Sequence, residues 1–370
     1  MQTRFPCRTI STKQLRSSSK AFIASAGSGK TEDIVNRALA VPASEGVVLT
    51  TYTDNGAREI RARIVLKNGV IPSNIEVIPW LTFLIRHGVK PYQNPVLGPN
   101  LVSGLHFERR PGFPKKSTAP YYLDKSFRVY RDFLAEFALL LNEESGGAVV
   151  ARIAQIYGHF FFDEIQDVSA RDFEFLQLLL ESPVTMTLSG DPRQGTYSTT
   201  ASRTNRGLTK SNVIKWLAQM EKLDLLSLEE RNHSWRCGQA ICDFADALYP
   251  EFADTRSLNV SATGHDGVFL LRKDQIPQYV ATYSPQLLVW DRRSEHHGLP
   301  RRNMGEVKGM TFPRVLIQPT GPIAKYLSDG SVLVEGARAK FYVAATRARH
   351  SVAIVLDDPG ASAIRYWVPD

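Results

Sequence analysis

Cysteine is scarce: Cys7, Cys237 and Cys242 are the three thiols in 370 residues. Three thiols cannot build a disulfide framework, and their spacing fits no zinc-ligand pattern. Buried or idle thiols in a reducing compartment are therefore expected. Long apolar runs are missing as well. No stretch reaches the about 18 consecutive apolar residues of a membrane span, so no membrane partner is expected. The first twenty residues are basic and Ser-rich without the apolar centre of a secretory signal, which makes a cytoplasmic location the expectation. Acidic residues are outnumbered, 37 Asp+Glu against 45 Lys+Arg, for a formal net charge of +8. That surplus favours a polyanionic partner, nucleic acid first. What is present is ordinary. A 43% hydrophobic and 22% charged composition is that of a soluble globular chain, and the length leaves room for about two or three domains.

The chemistry starts at Lys20-Ala21-Phe22-Ile23-Ala24-Ser25-Ala26-Gly27-Ser28-Gly29-Lys30-Thr31. An apolar run feeds a small-residue turn, and a helix-forming segment follows. Strand, tight turn and helix in that order are what a phosphate-binding loop requires. Gly27 and Gly29 let backbone N–H groups of the Ala26–Lys30 turn converge on phosphate oxygens, and the helix adds its positive end. Lys30 would reach the β and γ phosphates, and the Thr31 hydroxyl would sit on Mg²⁺. The strict pattern has Gly where Ala24 stands.

Taken in order, the chain reads as helix over 31–39, strand over 46–51, helix over 54–66 with Asp54 as its cap and Ile60, Ile64 and Val65 on one face, and strand over 75–78. Upstream, Gln14 can contact an adenine edge or stay solvated. Alternating strands and helices argue for a parallel sheet covered on both faces. Residues 91–150 break the rhythm with prolines, glycines, Arg109-Arg110, Lys115-Lys116 and an expected helix from Lys125 to Leu141. This reads as an insertion whose charge pairs touch phosphates or are simply solvated.

Phe160-Phe161-Phe162-Asp163-Glu164-Ile165-Gln166-Asp167 is the second strong signal. It sets two carboxylates at a strand's C-terminal edge, where an open α/β sheet places its ligand. Asp163 would hold Mg²⁺ and Glu164 would polarise the attacking water, the alternative being a polar turn after a buried strand. A strand over 184–189 leads into Gly190-Asp191-Pro192-Arg193-Gln194, where Gln194 either senses a γ-phosphate or belongs to a Gly/Pro turn. Further strands are expected over 223–228, 268–271, 286–290, 314–318 and 351–356, and helices over 212–221, 239–248 and 335–347. His296 and His297 sit in a basic loop with Arg292, Arg293, Arg301 and Arg302, without a partner at metal-ligand spacing.

The ordered set of segments resembles the UvrD/Rep-like superfamily 1 DNA helicases across nearly the whole chain. The phosphate loop is similar to A-x-A-G-S-G-K-T, in which the Ala is normal. Thr51 to Ile60 is similar to T-F-T-N-K-A-A-x-E-M, Thr82-Phe83 to the next DNA-contacting motif except that its His is Leu84 here, Asp163 to Asp167 to D-E-x-Q-D, and Gly190 to Tyr197 to G-D-x-x-Q-x-x-Y. Lys308-Gly309 resembles the start of K-G-L-E-F, and Tyr342 to Ala348 resembles Y-V-A-x-T-R-A. Ser234-Trp235-Arg236-Cys237 is laid on N-Y-R-S in preference to the register starting at Leu228-Glu229, because it keeps an aromatic ring and an arginine without a gap.

The resemblance implies two RecA-like P-loop NTPase lobes of α/β fold with parallel sheets. The first would span 1–90 and 151–230 with a reduced insertion at 91–150, and the second 231–370. It implies ATP and Mg²⁺ as cofactors, with a cleft between the lobes and a track for single-stranded DNA or DNA ends. Trp235 would stack on adenine, Arg236 and Arg347 would act as arginine fingers, and Tyr52, Thr82, Phe83 and Tyr197 would touch DNA. Two departures bear on this. Thr199 and Thr200 stand where the family has a Trp and an Arg, and Thr311 replaces the Glu that meets the ribose. The insertions that hold duplex are also reduced. Two functions stay open: a DNA-stimulated ATP hydrolase with weak unwinding alone, or a nucleotide- or DNA-end-sensing subunit of a co-encoded nuclease, as in Gabija-type antiphage systems.

Overall fold

The computed structural model describes residues 19–112, 114–116, 118–168, 170–195 and 212–369. These fall into two compact units, one of residues 19–23, 31–190 and 212–229, the other of 24–30, 191–195 and 230–369. The fold is α/β, each unit being built on a parallel sheet.

The first unit's strands are β1 (Lys20–Ala24), β2 (Val47–Thr51), β3 (Ile75–Pro79), β4 (Gly104–His106), β5 (Arg128–Tyr130), β6 (His159–Asp163), β7 (Thr185–Gly190) and β8 (Ser227–Arg231). Six of them form one sheet in the order β3-β2-β6-β7-β1-β8, with parallel pairing from β3 through β1. Strands buried on both faces read as unbroken apolar runs, and their period of two sends alternate residues to opposite faces. Val48, Phe160, Phe162 and Leu188 accordingly enter one core. Val47, Leu49, Phe161 and Val77 enter the other.

The second unit adds β9 (His233–Ser234), β10 (Arg256–Ser257), β11 (Gly267–Leu271), β12 (Gln286–Val289), β13 (Arg301–Asn303), β14 (Phe312–Ile317) and β15 (Ala348–Val355). Its sheet runs β11-β15-β14-β12-β13, again parallel throughout. Leu270, Leu288, Val315 and Val352 face one core. Phe269, Leu287, Leu316 and Ala353 face the other.

Several boundaries depart from the sequence expectation, each for a local reason. The helix Asp54–Asn68 is capped by Thr53, whose hydroxyl accepts from the Gly56 amide at 3.1 Å, and not by Asp54. Ala57 joins Ile60 and Ile64 on its buried face, whereas Val65 is exposed. The helix expected from 125 starts at Leu134. The Asp124 carboxylate accepts from the Ser126 and Arg128 amides and closes a turn with Phe127 at φ 56°, so the chain enters β5 first. The strand expected over 223–228 begins at Ser227, because Asp224 at φ 56° reverses the chain while Leu225 and Leu226 fill the core. The last helix is Glu335–Ala345. Thr346 turns its hydroxyl back to the Tyr342 carbonyl at 2.8 Å, which leaves Arg347 beyond the helix.

Candidate nucleotide-binding site

β1 ends in a turn that only glycine accommodates. Gly27 and Gly29 take φ of 78° and 83°, the left-handed region that other residues avoid. A Cβ on Gly27 would lie 2.6 Å from Ser234 Oγ and 2.7 Å from Arg236 Cβ. The segment after β9 therefore abuts the loop. The Trp235 amide donates to the Gly27 carbonyl at 2.9 Å, and the Ser25 amide to the Arg231 carbonyl at 3.0 Å. Lys30 is buried and its Nζ lies 3.4 Å from the Ala24 carbonyl. Ser28 Oγ is buried without a hydrogen-bond partner among the described residues. An orphaned hydroxyl, a lysine and a turn of glycine-permitted amides fit a bound phosphate chain.

At the end of β6, Asp163 accepts from Thr31 Oγ1 at 2.6 Å and from Ser189 Oγ at 2.6 Å. Hydroxyl and carboxylate oxygens are the donors that Mg²⁺ prefers, and it binds through one or two carboxylates with retained water. The residues present therefore fit the ion. Glu164 is partly exposed and takes φ of 63°. Its amide donates to Asp163, and its carboxylate accepts from Gln166 Nε2. Ser189 was not anticipated. A hydroxyl at the end of a buried strand gives no signal until the β6–β7 register sets it opposite Asp163.

The second unit gathers the remaining polar candidates. Arg236 Nη1 donates to the Thr346 carbonyl at 3.1 Å. Arg347, fully buried, donates to Gln194 Oε1 at 2.9 Å and to the Val343 carbonyl at 3.1 Å. The Tyr342 hydroxyl accepts from the Ala26 amide at 3.4 Å and donates to Asp191 at 3.1 Å. Burial, then the neighbouring Asp191 charge, pushes the Tyr342 phenol well above its ordinary value. Thr311 is exposed, between Met310, whose carbonyl faces Arg347 Nη1 at 3.5 Å, and Phe312, whose amide donates to the Arg347 carbonyl at 2.9 Å. Trp235 is 60% exposed, and its ring meets His233 edge-on at 6.3 Å.

The expected nucleic-acid contacts fare differently. Tyr52 and Thr82 are half-buried in the first unit. Burial, reinforced by Asp172, raises the Tyr52 phenol above its usual range. Phe83 is corrected. Its ring has no exposed surface, stacks on Trp80 at 5.5 Å and meets Phe160 edge-on, so it is a core residue. Gln14 and Tyr197 lie outside the described residues. Arg110 is structural, its guanidinium held over the Tyr121 and Phe133 rings at 4.1 and 4.2 Å.

No model of a known protein family matches the sequence, and no curated protein does. Among solved structures the chain is similar to an arterivirus nonstructural protein 10 (helicase), at 17% identity and a TM-score of 0.48, with 93% of this chain on 61% of that one. The same helicase in complex with DNA gives 17% identity, a TM-score of 0.48, and 93% of this chain on 62% of that one. This chain spans about three fifths of the length of those structures, and functional assignment rests on its own residues.

Proposed function

We propose that the chain is an ATP-hydrolysing, helicase-like motor stimulated by single-stranded DNA, of the UvrD/Rep type that its motifs resemble. The observation that carries this reading is the 2.6 Å contact between Thr31 Oγ1 and Asp163. It joins the residue after the phosphate-loop lysine to the carboxylate at the strand end, the pair of oxygens a nucleotide's Mg²⁺ needs. When bound, Mg²⁺ supplies charge neutralisation at the phosphate oxygens. Lys30 and the Ala26–Lys30 amides hold the phosphates, and Glu164 orients and deprotonates the attacking water. Arg236 and Arg347 place guanidinium charge where the transferring phosphoryl develops it, a contribution that depends on prior positioning. Trp235 stacks on the base, with Thr311 near the sugar. Tyr52 and Thr82 remain the proposed DNA contacts, together with Tyr197.

ATP turnover with and without single-stranded DNA, repeated with duplex ends and RNA, tests the reading. Turnover should rise with single-stranded DNA and vanish in Lys30→Ala. Glu164→Gln should still bind ATP while kcat falls by about a hundredfold or more, the scale of lost general-base catalysis. Wild-type rates in both variants would refute the site.

A further inference from the structure

Arg193 occupies a variable position of its motif, yet it is among the most buried large side chains of the protein, 2% exposed. Its Nε donates to Asp191 Oδ1 at 2.9 Å, its Nη2 to Ser25 Oγ at 2.8 Å and its Nη1 to Asp246 Oδ1 at 3.4 Å. The Phe252 and Tyr342 rings lie 5.3 and 5.2 Å from the guanidinium carbon. Thr255 Oγ1 completes the cluster, 2.9 Å from Ser25 Oγ and 2.9 Å from Asp246 Oδ1. The far oxygen of Asp191 accepts from Gln194 Nε2 at 2.8 Å, and Gln194 Oε1 in turn accepts from Arg347 Nη2 at 2.9 Å. An ionised carboxylate only accepts hydrogen bonds, so it turns the amide nitrogen of Gln194 toward itself and the amide oxygen toward Arg347.

We propose that Arg193 is a positioning residue for hydrolysis: it fixes the Asp191 carboxylate, which orients the Gln194 amide and thereby holds Arg347, while its bond to Ser25 ties the same relay to the phosphate loop. This rests on the nucleotide-hydrolysing reading above. Asp191 is fully buried. Burial alone would raise its carboxyl, but Arg193, then Lys30, and hydrogen bonds from Gln194 and Arg193 hold it below the ordinary value. Further titratable groups close to this cluster are the phenols of Tyr342 and Tyr249, both raised by burial, and the carboxyl of Asp246, which shares the Arg193 guanidinium and is likewise raised by burial. Removing the guanidinium leaves a buried carboxylate facing one fewer cation, so it takes up a proton at higher pH. A protonated Asp191 can donate to the Gln194 oxygen, and Arg347 then loses its acceptor.

The test compares Arg193→Met and Arg193→Lys with the wild type in the full chain. Readouts are kcat and KM for ATP from pH 5.5 to 9, and hydrogen exchange over residues 24–31 and 191–195, which needs no turnover. In Arg193→Met, kcat should fall by about tenfold to a hundredfold, the scale of a misplaced group remote from the reacting atoms. KM should change by less than about threefold. The acid limb of the kcat profile should move to higher pH, and exchange should rise selectively in the two segments. Arg193→Lys, which keeps the charge and loses the fork, should lie between the two; it carries the test if the Met variant does not fold. Wild-type kcat with wild-type exchange in a folded variant overturns the proposal. So does faster exchange spread evenly through the second unit, which marks a merely structural role. Absence of ATP turnover in the wild type would sink the function reading, leaving the exchange comparison to decide the relay separately.

Discussion

Gly27 shows how tightly single positions are determined. Its backbone sits at φ 78°, with Ser234 Oγ and Arg236 Cβ closer than 3 Å to where a side chain would begin. Gly27→Ala therefore meets both backbone strain, on the order of 1–3 kcal/mol, and displacement of the segment carrying Trp235 and Arg236. The expected outcome is a protein that folds with a lowered melting temperature and shows no ATP-induced thermal shift. Thermal unfolding with and without ATP–Mg²⁺ reads both. The glycines, Lys30, Thr31, Asp163 and Glu164 are legible in the sequence because strand, turn and helix impose their spacing locally. Arg193, Ser189 and Asp246 are not. Arg193 pairs locally with Asp191, but its bonds to Ser25 and Asp246, and that of Ser189 to Asp163, join residues far apart in the chain, and nothing near them signals those pairings.

At the scale of elements, the helix Asp54–Asn68 offers a clean test. Thr53→Ala removes its N-cap hydrogen bond and should cost about 0.5–2 kcal/mol, read as a lowered urea midpoint with an unchanged slope. The π-helical turn Leu84–Val89 carries a different expectation. Burial, with Arg152 and Arg86 acting in the same sense and Glu76 opposing, lowers His87 below its ordinary value. Its ring also lies 3.2 Å from the Tyr157 hydroxyl, whose other partner is Glu76. The unfolded chain thus binds the proton more readily than the folded one. The His87 contribution is complete above the unfolded value of about 6.5 and is lost as pH falls through the lower folded value. Urea midpoints should decline between pH 7.5 and 5, and His87→Phe, which keeps the aromatic packing, should flatten that decline. An unchanged slope in the variant would remove His87 as the cause. The π turn itself was not legible, since its side-chain spacing matches no simple period.

For the molecule as a whole, a net charge of +8 should make DNA binding strongly salt-dependent, with log affinity falling linearly against log salt. Counterion release is read directly from that slope. On the proposed motor reading, the segments that precede β13 and that span 91–150 are the places for a duplex grip, and both are short. Strand-displacement assays should accordingly show weak or no processive unwinding by the chain alone, even where ATP turnover responds to single strands. Robust unwinding would mean that the duplex is gripped by some other surface. Size-exclusion chromatography with a co-encoded nuclease, when one exists, separates a free-standing motor from a sensor subunit.

The alternation of apolar strands with amphipathic helices, and the residues of the phosphate loop and of the Asp163-Glu164 strand end, were determined by the sequence itself, because hydrophobic period and turn chemistry act over a few neighbouring residues. The tertiary structure decided what depends on register between distant strands. It buried Phe83 in the aromatic core instead of at a surface, set Ser189 on Asp163, and drew Ser25, Arg193, Asp246 and Arg347 into one polar cluster. Burial makes such pairings obligatory, since an unpaired charge in that interior would be too costly to keep.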